Sequence, residues 1–405
     1  MKYLVKKNGG ITTPQGFKAG VAQTEVKYRG RYDLALVVSE CPAVGAGVFT
    51  TNKFPAAPVQ VSRQHLAQSE KMRGFVVNSG CANACTGKEG LAAAYKMAEF
   101  AGEVTGYQAE EFFVASTGVI GNFLPLDKVK QGIKEAGHNL SPQTGTLAAQ
   151  AIMTTDTVPK EMAIEVEIEG KQVVLGAMAK GSGMIHPNMA TMLGFITTDV
   201  AITKECLQKA LVMANEDSFN MVTVDGDTST NDTLVALANG QAGNAVIANP
   251  VSEAFQVFVT ALKKVCVFLA KMIARDGEGA TKLLEVKVIN ASSREDARKA
   301  AKTIAGSSLV KATIFGEDAN WGRIVCALGY SGTEFIPENV VVYLDDLLMV
   351  ENGSGVDFDE AKAGRILGKE KIVITVDLQA GEFTGTAWGC DLSYEYVKIN
   401  ADYRS

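Results

Sequence analysis

The chain of 405 residues carries 39 Lys and Arg against 45 Asp and Glu, a net charge of −6, which gives no general attraction to nucleic acid or an anionic membrane and leaves small molecules as the default partners. At 47% hydrophobic and 21% charged residues it lies in ordinary globular usage and is long enough for two or three packed units. Its seven cysteines, an odd number scattered along the chain, are no secreted disulfide framework and point to a reducing cytoplasm.

In chain order, the opening MKYLVKKNGG has some positive charge but no apolar run of signal-peptide length behind it, so export is not expected. LALVVS at 34–39 and GFVVNS at 74–79 read as strands, because short β-branched runs between turn residues favour the extended chain. Cys81 and Cys85 are the closest cysteine pair, yet nothing near them completes a tetrahedral metal site. A helix follows over 90–104, then a strand over 172–178. A Gly-, Ser- and Pro-bearing loop from 179 runs into an apolar, strand-like segment that starts at Thr191. Helices are expected over 203–217 and 252–275. The apolar stretch at 255–274 is broken by Lys263, Lys264 and Lys271, a spacing that suits the wet face of an amphipathic helix and excludes a bilayer span. A strand over 284–289, a helix over 293–306 and strands over 339–344 and 371–378 complete a mixed α and β chain.

A Ser or Thr hydroxyl needs a base to become a nucleophile, and histidine is scarce. His65 falls in a polar helical stretch, His138 in a Gly and Asn turn context, and His186 before a proline, where it reads as a loop residue. A threonine at a new chain start carries its own base, since an α-amino group titrates near pH ~8. Taken alone, Thr191 simply opens a strand, as β-branched residues commonly do. Likewise Thr117 and Gly118 in ASTGVIG at 115–121 read as a turn between Val114 and Val119. The run DGDTSTNDT at 225–233 lacks the glutamate and spacing of a calcium loop. It reads as a hydrogen-bonded turn, with Asn231 and Asp232 able to support a site, and no metal is assigned. GSG at 181–183 and 353–355 are incomplete dinucleotide fingerprints.

Several polar patterns recur in one order: NSGCANACTG at 78–87, ASTGVIG at 115–121, TTDTVPK at 154–160, KGSGMIHPNMAT at 180–191, DGDTSTNDT at 225–233, DGEGATK at 276–282, GEDANWGR at 316–323 and NADYRS at 400–405. Together they resemble the ornithine acetyltransferase family, also called glutamate N-acetyltransferase, over nearly the whole chain. KGSGMIHPNMAT is the most specific part and looks like the family's self-cleavage segment. One departure is Cys81, where the family more often has Asn; no catalytic role is assigned to it.

The resemblance implies cleavage between Ala190 and Thr191, giving chains 1–190 and 191–405 that stay associated around one shared core, with two copies of each in the assembly. It implies an α/β fold of layered sheets between helices, with N-terminal-nucleophile-like chemistry and the family's own connectivity. Thr191 would be the nucleophile, and Thr117 and Gly118 would hold the oxyanion. Thr154, Lys180, Glu278, Asn400 and Ser405 would join Thr191 in contacting substrate. The implied reaction moves acetyl from N2-acetyl-L-ornithine to L-glutamate without a cofactor, in the cytoplasm, with acetyl-CoA left open as a second donor. The alternative is a self-processing hydrolase, such as an aminopeptidase of related architecture. From its residues alone, Glu278 is as readily an exposed loop acid.

Overall fold

The computed structural model of the chain describes residues 2–186 and 192–402, which form two compact units. The described residues of the first unit are 2–181, 192–220 and 228–269; those of the second are 182–186, 221–227 and 270–402.

The sheet of the first unit contains, among the described residues, β1 (Tyr3–Val5), β2 (Phe17–Ala22), β3 (Leu34–Phe49), β4 (Met72–Cys81), β5 (Phe112–Val119), β6 (Lys160–Ile168), β7 (Lys171–Lys180), β8 (Leu193–Thr198) and β9 (Thr233–Ala238). Their order is β1-β6-β7-β8-β9-β3-β4-β5, with β2 also on β3. Strand β3 is the pivot. Leu34–Val38 pairs with β4, and Val44–Phe49 pairs with β9, with the register broken between Val38 and Ala43. The irregularity lets one strand serve two halves of the sheet.

Period-two alternation then sorts the side chains. Phe17, Ala19, Ala35, Val37, Phe75, Val77, Phe113 and Ala115 pack with Phe195, Val235 and Leu237 of the other half. Phe75 and Phe195 meet at 5.2 Å between ring centroids, and each fully buried Phe contributes about 2–3 kcal/mol. The alternate residues Leu34, Leu36, Val76, Phe112 and Val114 face the helices α1 (Ala57–Gln68), α2 (Gly87–Thr105) and α3 (Leu126–His138). The unit also holds α4 (Gly145–Ala151), α5 (Lys204–Glu216), which packs on β3 and β9, and much of α6 (Glu253–Arg275). The result is an α/β protein with sheet layered between helices.

The second unit carries β10 (Leu283–Ala291), β11 (Val341–Leu344), β12 (Leu347–Glu351), β13 (Ser354–Gly355), β14 (Lys371–Asp377) and β15 (Phe383–Cys390), in the order β13-β12-β11-β14-β10-β15. Helix α7 (Arg294–Gly306) packs on β10 and β15. It buries Ala297, Ala300, Ala301, Ile304 and Ala305, the spacing of one helix face. Among the described residues the unit also holds α8 (Ser308–Phe315), α9 (Trp321–Gly329), α10 (Glu360–Leu367) and α11 (Tyr394–Ala401).

Three sequence readings need correction. His138 is the last residue of α3 and lies in no turn, because the buried Val129, Ile133 and Ala136 carry the helical period to its end. Residues 114–119 belong to β5 instead of forming a turn. The strand read over 339–344 starts only at Val341, after a 3-10 turn at Pro337–Asn339; proline fixes φ and supplies no N–H to a ladder. Strands from before and after residue 190 lie side by side: β7 pairs with β8, and β3 with β9.

Candidate active site

In the first unit β4 and β5 run parallel, and their ends meet at a register irregularity around Gly80, Cys81, Thr117 and Gly118. Gly118 has φ +134°, and a Cβ there would stand 2.3 Å from the carbonyl carbon of Gly80 and 2.6 Å from the Cys81 nitrogen. Only glycine fits such an approach. The neighbouring backbone is held from behind: Asn231 Nδ2 donates to the carbonyls of Ala82 at 2.6 Å and Ser116 at 2.8 Å. Ser116 Oγ donates to Asn78 Oδ1, and Asn78 Nδ2 to the Cys81 carbonyl. This buried network keeps the strand ends rigid.

Lys180, the last residue of β7, is 7% exposed. Its Nζ lies 3.4 Å from Thr117 Oγ1 and 3.9 Å from Asp156 Oδ2. Asp156 Oδ2 also accepts the Thr154 N–H at 3.0 Å, and the Thr154 carbonyl accepts from Arg31. Thr117, Lys180 and Thr154 are thus brought together, with Gly118 next in the chain to Thr117. The sequence reading quoted Asp156 and Lys160 within TTDTVPK but gave them no role, and in a non-helical stretch with a proline between them their spacing is no signal for a pair.

In the second unit Glu278 is 6% exposed, so it is no exposed loop acid. Its Oε2 accepts from Asn400 Nδ2 at 2.8 Å, and its N–H donates to the Ser182 carbonyl. A Cβ at Gly183 would sit 2.3 Å from Glu278 Oε2, so the carboxylate lies directly against that glycine's backbone. Helix α11, which carries Asn400, is fastened by Tyr396, whose hydroxyl donates to Asp225 Oδ2 at 3.2 Å. The same Asp225 accepts the N–H groups of Met184 and Ile185 at 2.6 and 2.8 Å, which clamps the chain that leads to KGSGMIHPNMAT's end. Within the turn read over 225–233, the Asp227 N–H donates to Asp225 Oδ1 and the Asn231 N–H to Ser229 Oγ, and Asp225 is a residue that sequence reasoning missed.

His186 is a loop residue whose Nδ1 lies 2.9 Å from Thr223 Oγ1. Burial, reinforced by the Lys302 charge, lowers its pKa to about 4, so it is a neutral imidazole at neutral pH. His65 is buried in α1 with Nδ1 2.8 Å from the Phe112 carbonyl, a structural histidine. Cys81 is buried with Sγ 3.3 Å from the Asn122 carbonyl; burial pushes its thiol pKa up, the opposite of what a nucleophilic cysteine needs. Ala190, Thr191 and Ser405 lie outside the described residues.

Residues 18–405 match the ArgJ family. Over 399 residues the chain is 55% identical to the arginine biosynthesis bifunctional protein ArgJ of Symbiobacterium thermophilum, covering 98% of this chain and 99% of that one. It is 51% identical over 405 residues to the arginine biosynthesis bifunctional protein ArgJ 1 of Clostridium acetobutylicum, covering 99% of each. Among solved structures, it is similar to arginine biosynthesis bifunctional protein ArgJ from Bacillus halodurans, with a TM-score of 0.50 and 47% identity, over 51% of this chain and 97% of that chain. The chain belongs to the ArgJ family and is an acyltransferase of amino-acid biosynthesis, a glutamate N-acetyltransferase.

Proposed function

We propose that the chain cuts itself between Ala190 and Thr191 and then transfers acetyl from N2-acetyl-L-ornithine to L-glutamate through an acetyl ester on Thr191. The observation that carries this reading is the pairing of Lys180 with Leu193 across β7 and β8. Leu193 follows Thr191 by two residues, while the Lys180 ammonium lies beside the Thr117 hydroxyl.

In maturation the Thr191 hydroxyl attacks the Ala190 carbonyl, the acyl group shifts from nitrogen to oxygen, and water hydrolyses the ester, freeing the Thr191 α-amine. That amine titrates near pH ~8 and takes the hydroxyl proton as Thr191 Oγ1 attacks the acetyl carbonyl of the donor. The Thr117 hydroxyl and Gly118 N–H donate to the resulting oxyanion. The donor's C–N bond breaks, ornithine leaves with the proton, and the glutamate amine attacks the ester to regenerate the hydroxyl. Lys180 serves a substrate carboxylate; Glu278 and Asn400 serve a substrate amine; Thr154 and Ser405 complete the contacts. Acetyl-CoA is a second donor that the same oxyanion donors would serve.

The seven cysteines are all unpaired thiols, which supports a reducing cytoplasm, and among the described residues no helix is long and apolar enough to cross a membrane. The processed chains assemble as two copies of each. N-terminal sequencing is expected to find starts at the chain's own N-terminus and at Thr191, and Thr191→Ala to stay whole and inactive. If acetylornithine is consumed equally fast with and without glutamate, the acyl acceptor is water and the reading of transfer is overturned.

A further inference from the structure

Asp156 and Lys160 form an ion pair whose two side chains are both wholly inaccessible, with Lys160 Nζ 2.7 Å from Asp156 Oδ1. A fully buried lysine is rare, because stripping an ammonium of water is costly unless an anion answers it. Oδ1 also accepts the Gly181 N–H at 2.7 Å, and Oδ2 takes the Thr154 N–H at 3.0 Å and faces Lys180 Nζ at 3.9 Å. Two ammonium groups therefore share one carboxylate unequally. Burial by itself pushes the Asp156 carboxyl up, but the Lys180 and Lys160 charges and the hydrogen bonds of Lys160 and Gly181 outweigh it, so the pKa is strongly lowered and the group stays an anion. Neither Asp156 nor Lys160 has a part in the acetyl-transfer steps, yet one carboxylate touches the backbone or side chain of Thr154, Lys180 and Gly181.

We propose that Asp156 and Lys160 are positioning residues: Lys160 saturates the Asp156 carboxylate, so that Lys180 stops short of it and keeps its ammonium beside Thr117 for the carboxylate of an amino-acid substrate. This rests on the reading of Lys180 as a substrate contact. The physical reason is that Coulomb attraction rises as the separation falls. With Lys160 bonded at 2.7 Å, the pull of Asp156 on Lys180 is offset by repulsion between the ammoniums. Without Lys160, Lys180 closes the 3.9 Å gap and withdraws from Thr117.

Three variants test this. Lys160→Met keeps the length of the stem and removes the charge; kcat/KM for acetylornithine is expected to fall roughly tenfold, mainly through KM, as for a lost charge-assisted contact. Asp156→Asn leaves two ammoniums without their anion and is expected to lose a similar factor. The double variant removes both charges while the amide still accepts an N–H. Its kcat/KM is expected to recover to within about threefold of the natural enzyme, because residues in one network couple non-additively. Its preference for acetylornithine over the α-carboxamide of acetylornithine is expected to be retained.

The preference for acetylornithine over its α-carboxamide is expected to fall in Lys160→Met; a merely structural pair would lower the unfolding midpoint of that variant and leave the preference unchanged, and that result overturns the proposal. Should Lys160→Met fail to accumulate, Lys160→Gln is read in the same way: a lowered preference for the carboxylate supports the proposal, and an unchanged one refutes it. Absence of acetyl transfer from acetylornithine in the natural enzyme would instead refute the reading on which the proposal stands.

Discussion

At Thr117 and Gly118 a single hydroxyl and a single N–H carry the proposed oxyanion chemistry, and their substitutions should separate chemistry from packing. Thr117→Ala removes a donor without adding bulk, so kcat is expected to drop about 10²-fold while the unfolding midpoint hardly moves; steady-state kinetics and thermal unfolding check the pair. Gly118→Ala must accommodate a Cβ 2.3 Å from the Gly80 backbone, so both activity and stability should fall, the latter by about 1–3 kcal/mol. Cys81 behaves differently. Its burial keeps the thiol protonated, so alkylation of the native protein should spare it, and Cys81→Ser should retain acetyl transfer. Rapid inactivation traced to a label on Cys81 would assign it a chemical role.

Among elements, α6, β10, β14 and β15 converge on Glu285. Its carboxylate accepts from Trp388 Nε1 of β15 at 3.0 Å and pairs with Lys271 of α6 at 2.9 Å and Lys371 of β14 at 3.2 Å. Burial alone would push this carboxyl up. The hydrogen bonds from Lys271 and Trp388 and the charges of Lys271 and Lys371 outweigh it and bring the pKa down to about 2. A carboxyl depressed in the folded state binds fewer protons there than in the unfolded chain. Its stabilisation is therefore fully present above the unfolded value of about 4.3 and lost as pH falls toward 2. Denaturant unfolding of Glu285→Gln should show a lower midpoint than the natural protein at pH 7, with the gap closing between about pH 4.3 and 2. A gap that is the same at pH 7 and pH 2.5 would mean that the charge contributes nothing.

For the whole molecule, the strand pairings decide what the proposed self-cleavage would do. β7 precedes residue 190 and β8 and β9 follow it, yet β8 lies between β7 and β9, and β9 also pairs with β3. A cut between Ala190 and Thr191 would break one peptide bond and none of these ladders or the apolar packing beneath them. The fragments 1–190 and 191–405 are expected to co-elute on size exclusion in native buffer and to separate only in denaturant. Two independently migrating fragments in native buffer would contradict this.

Legibility followed the range over which the physics acts. The runs at 34–39, 74–79, 172–178, 284–289 and 371–378 declare strands through side-chain shape and alternation, and α2, α5, α6 and α7 declare themselves by period, because those signals are local. The motif order around KGSGMIHPNMAT likewise carried the family. The end of β5 was misread as a turn because the left-handed conformation of Gly118 makes sense only against Gly80, 38 residues earlier. From its residues alone Glu278 was as readily an exposed loop acid as a substrate contact, because its burial depends on Gly183 and on Asn400, and the meeting of Asp156 with Lys180 depends on strand register. Composition and periodicity thus determined the class from the sequence by itself, and the resemblance carried by the ordered motifs supplied the family and the candidate nucleophile. The register break in β3, the burial of charge at Asp156 and the clamp at Asp225 were decided only by tertiary structure, since desolvation and hydrogen-bond geometry exist only once distant segments are packed together.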